Sequence, residues 1–77
     1  MPTCSVYGHN PSNGPGQLAA QAALTQAQTD HPGWAVTLQY DASTTTAKYT
    51  SATATADELE TYFTQRFPQS SYHVVGA

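Results

Sequence analysis

Cysteine, charge and long apolar runs are all scarce in this chain of 77 residues. The single cysteine, Cys4, excludes an intramolecular disulfide and, with few possible ligands beside it, a structural zinc site. We therefore expect a reducing, cytoplasmic compartment. No run approaches the ~18 consecutive apolar residues of a membrane helix. The first residues, MPTCSVYG, lack the basic start and apolar core of a signal peptide, so we expect no membrane association.

Basic residues are the scarcest group. Only Lys48 and Arg66 oppose five acidic side chains, which gives a formal net charge of -3. Nucleic acid polymers are excluded as partners, because phosphate binding depends on clustered cations. The carboxylates are also too few and too scattered for a DNA mimic. Charged residues form 9% of the chain, against roughly 25% in ordinary domains, and neutral polar groups are cheaper to bury in an interface than charges.

The chain is short for an independently stable fold. Residues 1–77 have room for one domain, and a domain of this size buries only roughly 60% of the surface of its unfolded chain. Such a domain gains stability from a partner that covers its remaining apolar surface. We therefore expect self-association or a protein partner.

Two periodicities divide the chain into six elements. Alternating apolar and polar residues predict strands, and apolar residues three or four positions apart predict helices. Pro15 suits the first turn of the first helix, and Gly33 is expected to reverse the chain after it. Thr55 and Glu58 have the spacing of a capping box at the second helix. The predicted elements are a strand over 3–9, a helix over 15–30, strands over 34–40 and 45–51, a helix over 56–67 and a strand over 71–77.

The order of these elements is β-α-β-β-α-β. Right-handed crossovers place both helices on one face of a four-stranded antiparallel sheet with the spatial order 4-1-3-2, the ferredoxin-like α+β arrangement. This fold hosts many unrelated functions and says little about chemistry. The alternative is an α+β sheet whose last strand is missing or pairs with another subunit. The expected core consists of Trp34, Val36, Leu38, Leu59, Tyr62, Phe63, Phe67 and Val74.

The loop HNPSNGPG, ahead of the first helix, is a candidate site for a small anion containing a phosphate or nucleotide. The first turn of a helix offers unpaired N–H groups and partial positive charge, and glycines let an anion approach the backbone. The loop lacks the lysine of a Walker motif and the spacing of a dinucleotide fingerprint, and its residues are also ordinary turn formers. The candidate ligand residues are His9, Asn10, Ser12, Asn13, Gly14, Gly16 and Gln17.

The sheet face opposite the helices is the second candidate. The alternation directs a mostly neutral, polar set of side chains to this face: Ser5, Tyr7, Thr37, Gln39, Thr46, Lys48, Thr50, His73 and Val75. Such a face suits a sheet-to-sheet dimer or docking onto another protein, and the two edge strands could extend the sheet across subunits. The alternative is a solvated polar face. The candidate interface residues are Tyr7, Gln39, Lys48, His73 and Leu18. Leu18 lies outside the predicted buried stripe of the first helix, which consists of Gly16, Ala20, Ala23, Leu24 and Ala27.

Catalysis is the third class considered. Tyr7, His9 and His73 are possible acid–base groups, and Cys4 is a possible nucleophile, although its strand position faces inward. No Ser-His-Asp or metal-ligand spacing is present. His9, His31 and His73 fall in three separate segments, so we expect no shared metal site.

We conclude from the sequence that the chain is a small non-enzymatic module that acts by binding protein and itself. Chains of this kind include inhibitors and adaptors, among them those that phages direct against host systems. Sequestration of a small anionic ligand is the first alternative, and a small enzyme using tyrosine and histidine is the second. No cofactor is expected.

Overall fold

The computed structural model describes residues 1–10 and 12–77 and contains the six predicted elements in the predicted order. Pro11, in the predicted ligand loop, lies outside the described residues. The strands are β1 (Thr3–Gly8), β2 (Thr37–Asp41), β3 (Thr46–Thr50) and β4 (Tyr72–Gly76). The helices are α1 (Gln17–Asp30) and α2 (Ala56–Thr64), and a short 3-10 turn over Pro32–Trp34 follows α1.

The strand order confirms the predicted fold class. The sheet has the order β2-β3-β1-β4, and every neighbouring pair is antiparallel. β4 pairs with β1 from Gly76 opposite Cys4 to Tyr72 opposite Gly8, so the alternative without β4 in the sheet is wrong. With β-α-β-β-α-β connectivity, this is the ferredoxin-like α+β fold.

The start of β2 differs from the prediction. Trp34 lies in the 3-10 turn, and Ala35 has φ 50°, in the left-handed region, so the strand begins only at Thr37. The chain reverses at Ala35 and not at Gly33, which has no positive φ. The Trp34 carbonyl accepts a hydrogen bond of 2.7 Å from the buried Ser51 hydroxyl, and this contact fixes the turn against the end of β3.

The core lies between the sheet and the helices. Most of the predicted core is buried, whereas Trp34 and Leu38 are only partly buried and pack against it. The largest fully buried side chain is Tyr49, which the predicted core omits. Its ring stacks on Phe63 at 4.0 Å between centroids, and its hydroxyl donates to the Ala20 carbonyl at 2.8 Å. Tyr49 therefore connects β3 to both helices.

α1 packs against the sheet through small side chains, as its sequence predicts. Ala20, Ala23 and Ala27 are buried and Leu24 is half-buried, whereas Gly16, also predicted for this stripe, is the exposed N-cap residue. Leu18 lies outside this stripe and is 84% exposed. A role for Leu18 in an interface stays a prediction.

Candidate functional site

The predicted ligand loop packs on the hairpin between β2 and β3. The Gly14 N–H donates to Oγ1 of Thr45 at 2.8 Å, and the Asn13 N–H donates to the Asn10 carbonyl at 3.0 Å. A Cβ at Gly14 would lie 1.8 Å from the Thr45 carbonyl oxygen, so a glycine is required by this close approach. The Gly14 N–H therefore already has a hydrogen-bond acceptor within the protein.

The first turn of α1 is open to solvent. Gly16 is the N-cap residue in an extended conformation and has no side chain to cap the helix, and both Gly16 and Gln17 are exposed. The side chains of His9, Ser12 and Asn13 are exposed as well. The anion site stays a prediction, and its backbone donors are now restricted to the first residues of α1, because Gly14 contacts Thr45.

No described element covers the sheet face opposite the helices. The nine predicted side chains are all exposed or half-buried, and Tyr7 and Val75 are among the large apolar residues with the greatest exposure, at 37% and 42%. Within the described residues, Lys48 is the only charged one of this set. We call this surface, formed by the nine residues given above, the open sheet face.

At one end of the open sheet face, Tyr7, His9 and His73 come together. Tyr7 lies directly opposite His73 in the register of β1 and β4, with ring centroids 5.2 Å apart. His9 follows β1, and its Nδ1 lies 2.8 Å from Nε2 of His73. The rings are nearly perpendicular, at 82°, and their centroids are 4.3 Å apart. The three side chains that the sequence suggested for acid–base chemistry therefore form one cluster.

The direct contact between His9 and His73 was not predicted, because the three histidines fall in separate segments of the sequence. His31 is not part of the cluster, since its ring stacks on Trp34 with 3.8 Å between centroids. The contact between His9 and His73 could have been predicted once the pairing register of β1 and β4 was known. Residues 7 and 9 share a face by strand alternation, and residue 73 lies opposite the first and diagonal to the second.

A groove between the end of α1 and the side of α2 also escaped the sequence analysis. It has a volume of about 550 Å³, and its walls include His31, Trp34, Asp57 and Tyr62. Its base is a polar contact: the Asp30 carboxylate accepts a hydrogen bond from the Tyr62 hydroxyl at 2.8 Å.

Arg66 completes this contact. Its guanidinium lies 3.9 Å from the centre of the Tyr62 ring and pairs with Asp30 at 3.0 Å. The pKa of Asp30 is lowered, first by the hydrogen bond from Tyr62, then by one from Gln26 and by the charge of Arg66. Because Arg66 already covers the Tyr62 ring and pairs with Asp30, the groove is best explained as the contact between the end of α1 and α2.

Cys4 does not have the properties of a nucleophile. It is fully buried, and this burial raises the pKa of its thiol to about 12, with the Glu60 carboxylate as a lesser cause. The thiol is therefore protonated near neutral pH. Among residues 1–10 and 12–77, no three histidine, cysteine, aspartate or glutamate side chains are grouped as metal ligands.

No protein-family model matches the chain, and neither a curated protein nor a solved structure matches it. The fold assignment therefore rests on strand order, and functional inference rests on the surfaces described above. In the part of the chain that the structure describes, neither helix has the length and apolar composition needed to cross a bilayer.

Proposed function

We propose that the chain is a non-enzymatic binding module that associates with a second copy of itself through the open sheet face. The observation that carries this proposal is the composition of that face: Tyr7 and Val75 are exposed there, and of its nine residues Lys48 alone is charged. An inhibitor or adaptor role in a reducing compartment, where the single thiol of Cys4 stays reduced, belongs to the same proposal.

A second copy is the occupant that the charge distribution favours. Four of the five carboxylates lie outside the open sheet face, and the fifth, Asp41, lies at its edge opposite Thr46. Two copies that meet face to face therefore bring mainly neutral hydroxyl and amide groups together. Such groups are desolvated at lower cost than charges and can exchange hydrogen bonds across the interface. The exposed Tyr7 and Val75 supply apolar area at the same surface.

Sedimentation equilibrium over a concentration series tests this proposal. We expect a reversible dimer and predict that Val75→Lys weakens it by about tenfold or more, because a two-fold interface receives the new charge twice. The control is Gln21→Lys, which adds the same charge on the exposed side of α1. A monomer at every concentration up to about the millimolar range of weak complexes, or a dimer that Val75→Lys leaves unchanged, contradicts the proposal.

A further inference from the structure

The His9 and His73 nitrogens have the spacing of two ligands on one metal ion. Nδ1 of His9 and Nε2 of His73 lie 2.8 Å apart. Two nitrogens bound at right angles, each about 2.0 Å from an ion, are separated by about 2.8 Å, whereas a tetrahedral ion separates them by about 3.3 Å. The pair therefore matches adjacent positions of a square-planar or tetragonal site.

The orientation of the two rings also suits a shared ion. Imidazoles that point directly at each other with this nitrogen separation would have centroids about 5 Å apart, but the observed distance is 4.3 Å with the planes at 82°. The two rings are thus inclined to each other and not aligned end to end. A shared ion requires this inclination.

The surroundings leave room for the remaining ligands. A cleft of about 240 Å³ lies beside His9, which lines it together with Tyr7, Asn10, Thr44 and Thr46, whereas His73 is not in its walls. These side chains are neutral, so neither a positive charge repels an ion nor a carboxylate competes for one in this cleft. Both rings are accessible to solvent, since His9 is exposed and His73 is half-buried, so water can occupy the open coordination positions.

We propose that His9 and His73 chelate one divalent transition-metal ion that prefers tetragonal nitrogen ligands, Cu²⁺ or Ni²⁺. Binding exchanges the hydrogen bond between the rings for two metal–nitrogen bonds. Both imidazoles stay neutral, because the ring that donates the hydrogen bond moves that proton to its outer nitrogen. His9 then binds through Nδ1 and His73 through Nε2. Because His73 belongs to the open sheet face, this site is tested at concentrations at which the chain is monomeric.

Ni²⁺ is the suitable titrant, since it does not oxidise the Cys4 thiol as Cu²⁺ does. We expect calorimetry of the full chain to show one ion per chain. In proton NMR, the paramagnetic ion should broaden the ring signals of His9 and His73 before those of His31. His31 is the internal reference because its ring stacks on Trp34 and contacts neither of the other histidines.

Variants separate a chelate from binding to single histidines. His9→Ala and His73→Ala should each weaken Ni²⁺ binding by about 100-fold, because the second imidazole acts at high effective concentration. His31→Ala should leave it unchanged. His9 lies outside the strands, so His9→Ala keeps the test valid if His73→Ala fails to fold. Equal broadening of all three histidines, or equal affinity of His9→Ala and the unmodified chain, overturns the proposal.

Discussion

The two helices pack on the same sheet but are positioned by different interactions. α2 begins with a complete capping box, in which Thr55 and Glu58 exchange hydrogen bonds of 3.1 Å and 2.9 Å, and it buries Leu59, Tyr62 and Phe63. α1 has a glycine as its N-cap residue and no acidic residue in its first turn, and it buries only alanines. Its large neighbours come from other elements, since Tyr49 donates to the backbone of α1.

The loop ahead of α1 is held by contacts with another part of the chain, although the helix has no side-chain cap. The Gly14 amide donates to Thr45, and the Pro15 carbonyl accepts a hydrogen bond of 2.8 Å from the Tyr40 hydroxyl. Both partners belong to the hairpin of β2 and β3. The start of α1 is thus fixed by tertiary contacts, whereas the start of α2 is fixed by residues three positions apart. This difference predicts unequal sensitivity of the two helices to substitution.

The largest effect should come from the aromatic anchor of α2. Phe63 is fully buried and stacks on Tyr49, so Phe63→Ala should lower the free energy of unfolding by about 3–5 kcal/mol. Ala23→Gly, on the buried stripe of α1, should lower it by only about 1 kcal/mol. Urea denaturation measures both.

Phe63→Ala can approach the whole stability of a small domain, so Phe63→Leu provides a milder variant at the same position. Its loss should be intermediate between those of Phe63→Ala and Ala23→Gly. A larger loss for Ala23→Gly than for Phe63→Leu would show that α1, and not α2, anchors the core.

The next largest loss of stability is expected where the loop ahead of α1 contacts the hairpin of β2 and β3. Gly14→Ala should cost about 1–3 kcal/mol, because its Cβ would lie 1.8 Å from a backbone oxygen that moves only with the hairpin. Gly16→Ala is the matched control: nothing lies within 4 Å of its Cβ, and the expected loss is about 0.5 kcal/mol. Equal urea midpoints for the two variants would contradict the proposed role of this contact.

A smaller difference separates the two helix caps. Thr55→Ala removes the acceptor of the Glu58 N–H and should cost about 1 kcal/mol. Gly16→Asn supplies a side-chain acceptor that α1 lacks and should increase stability by about 0.3 kcal/mol. Chemical denaturation of the single variants, each compared with the unmodified chain, measures both changes. A gain from Gly16→Asn as large as the loss from Thr55→Ala would mean that local capping matters equally for both helices.

The same contrast explains how much the sequence could predict. The capping box was predicted because its partners are three residues apart, and the strand order followed from the handedness of the crossovers. The Gly14–Thr45 and His9–His73 contacts join residues 31 and 64 positions apart, and they depend on a register that alternation alone does not specify. The glycine-rich loop therefore suggested a ligand site, whereas in the structure Gly14 packs against Thr45 of the hairpin.

The start of β2 shows a second limit of sequence patterns. Trp34 and Val36 alternate with smaller residues as strand residues do, yet Ala35 between them adopts a left-handed conformation. Both side chains reach the core from a turn, and the hydrophobic pattern is the same in either case. Tertiary contacts of the turn, such as the Ser51 hydroxyl on the Trp34 carbonyl, decide the outcome.

The contact between the two helices allows the finest comparison, because Asp30 of α1 contacts Tyr62 of α2 and Arg66, which lies just after α2. The pKa of Asp30 is lowered in the folded protein, chiefly by the Tyr62 hydroxyl. The contribution of Asp30 to stability is therefore present above its pKa in the unfolded chain and is lost as pH falls through the lower pKa of the folded protein.

In an NMR titration of the Asp30 carboxyl, Tyr62→Phe should raise this pKa toward its ordinary value while keeping the ring. Gln26→Ala should raise it less, because the Gln26 hydrogen bond is the lesser cause. If Tyr62→Phe leaves the titration unchanged, the contact between the two helices contributes packing alone, and the end of α1 is no more dependent on α2 than its start.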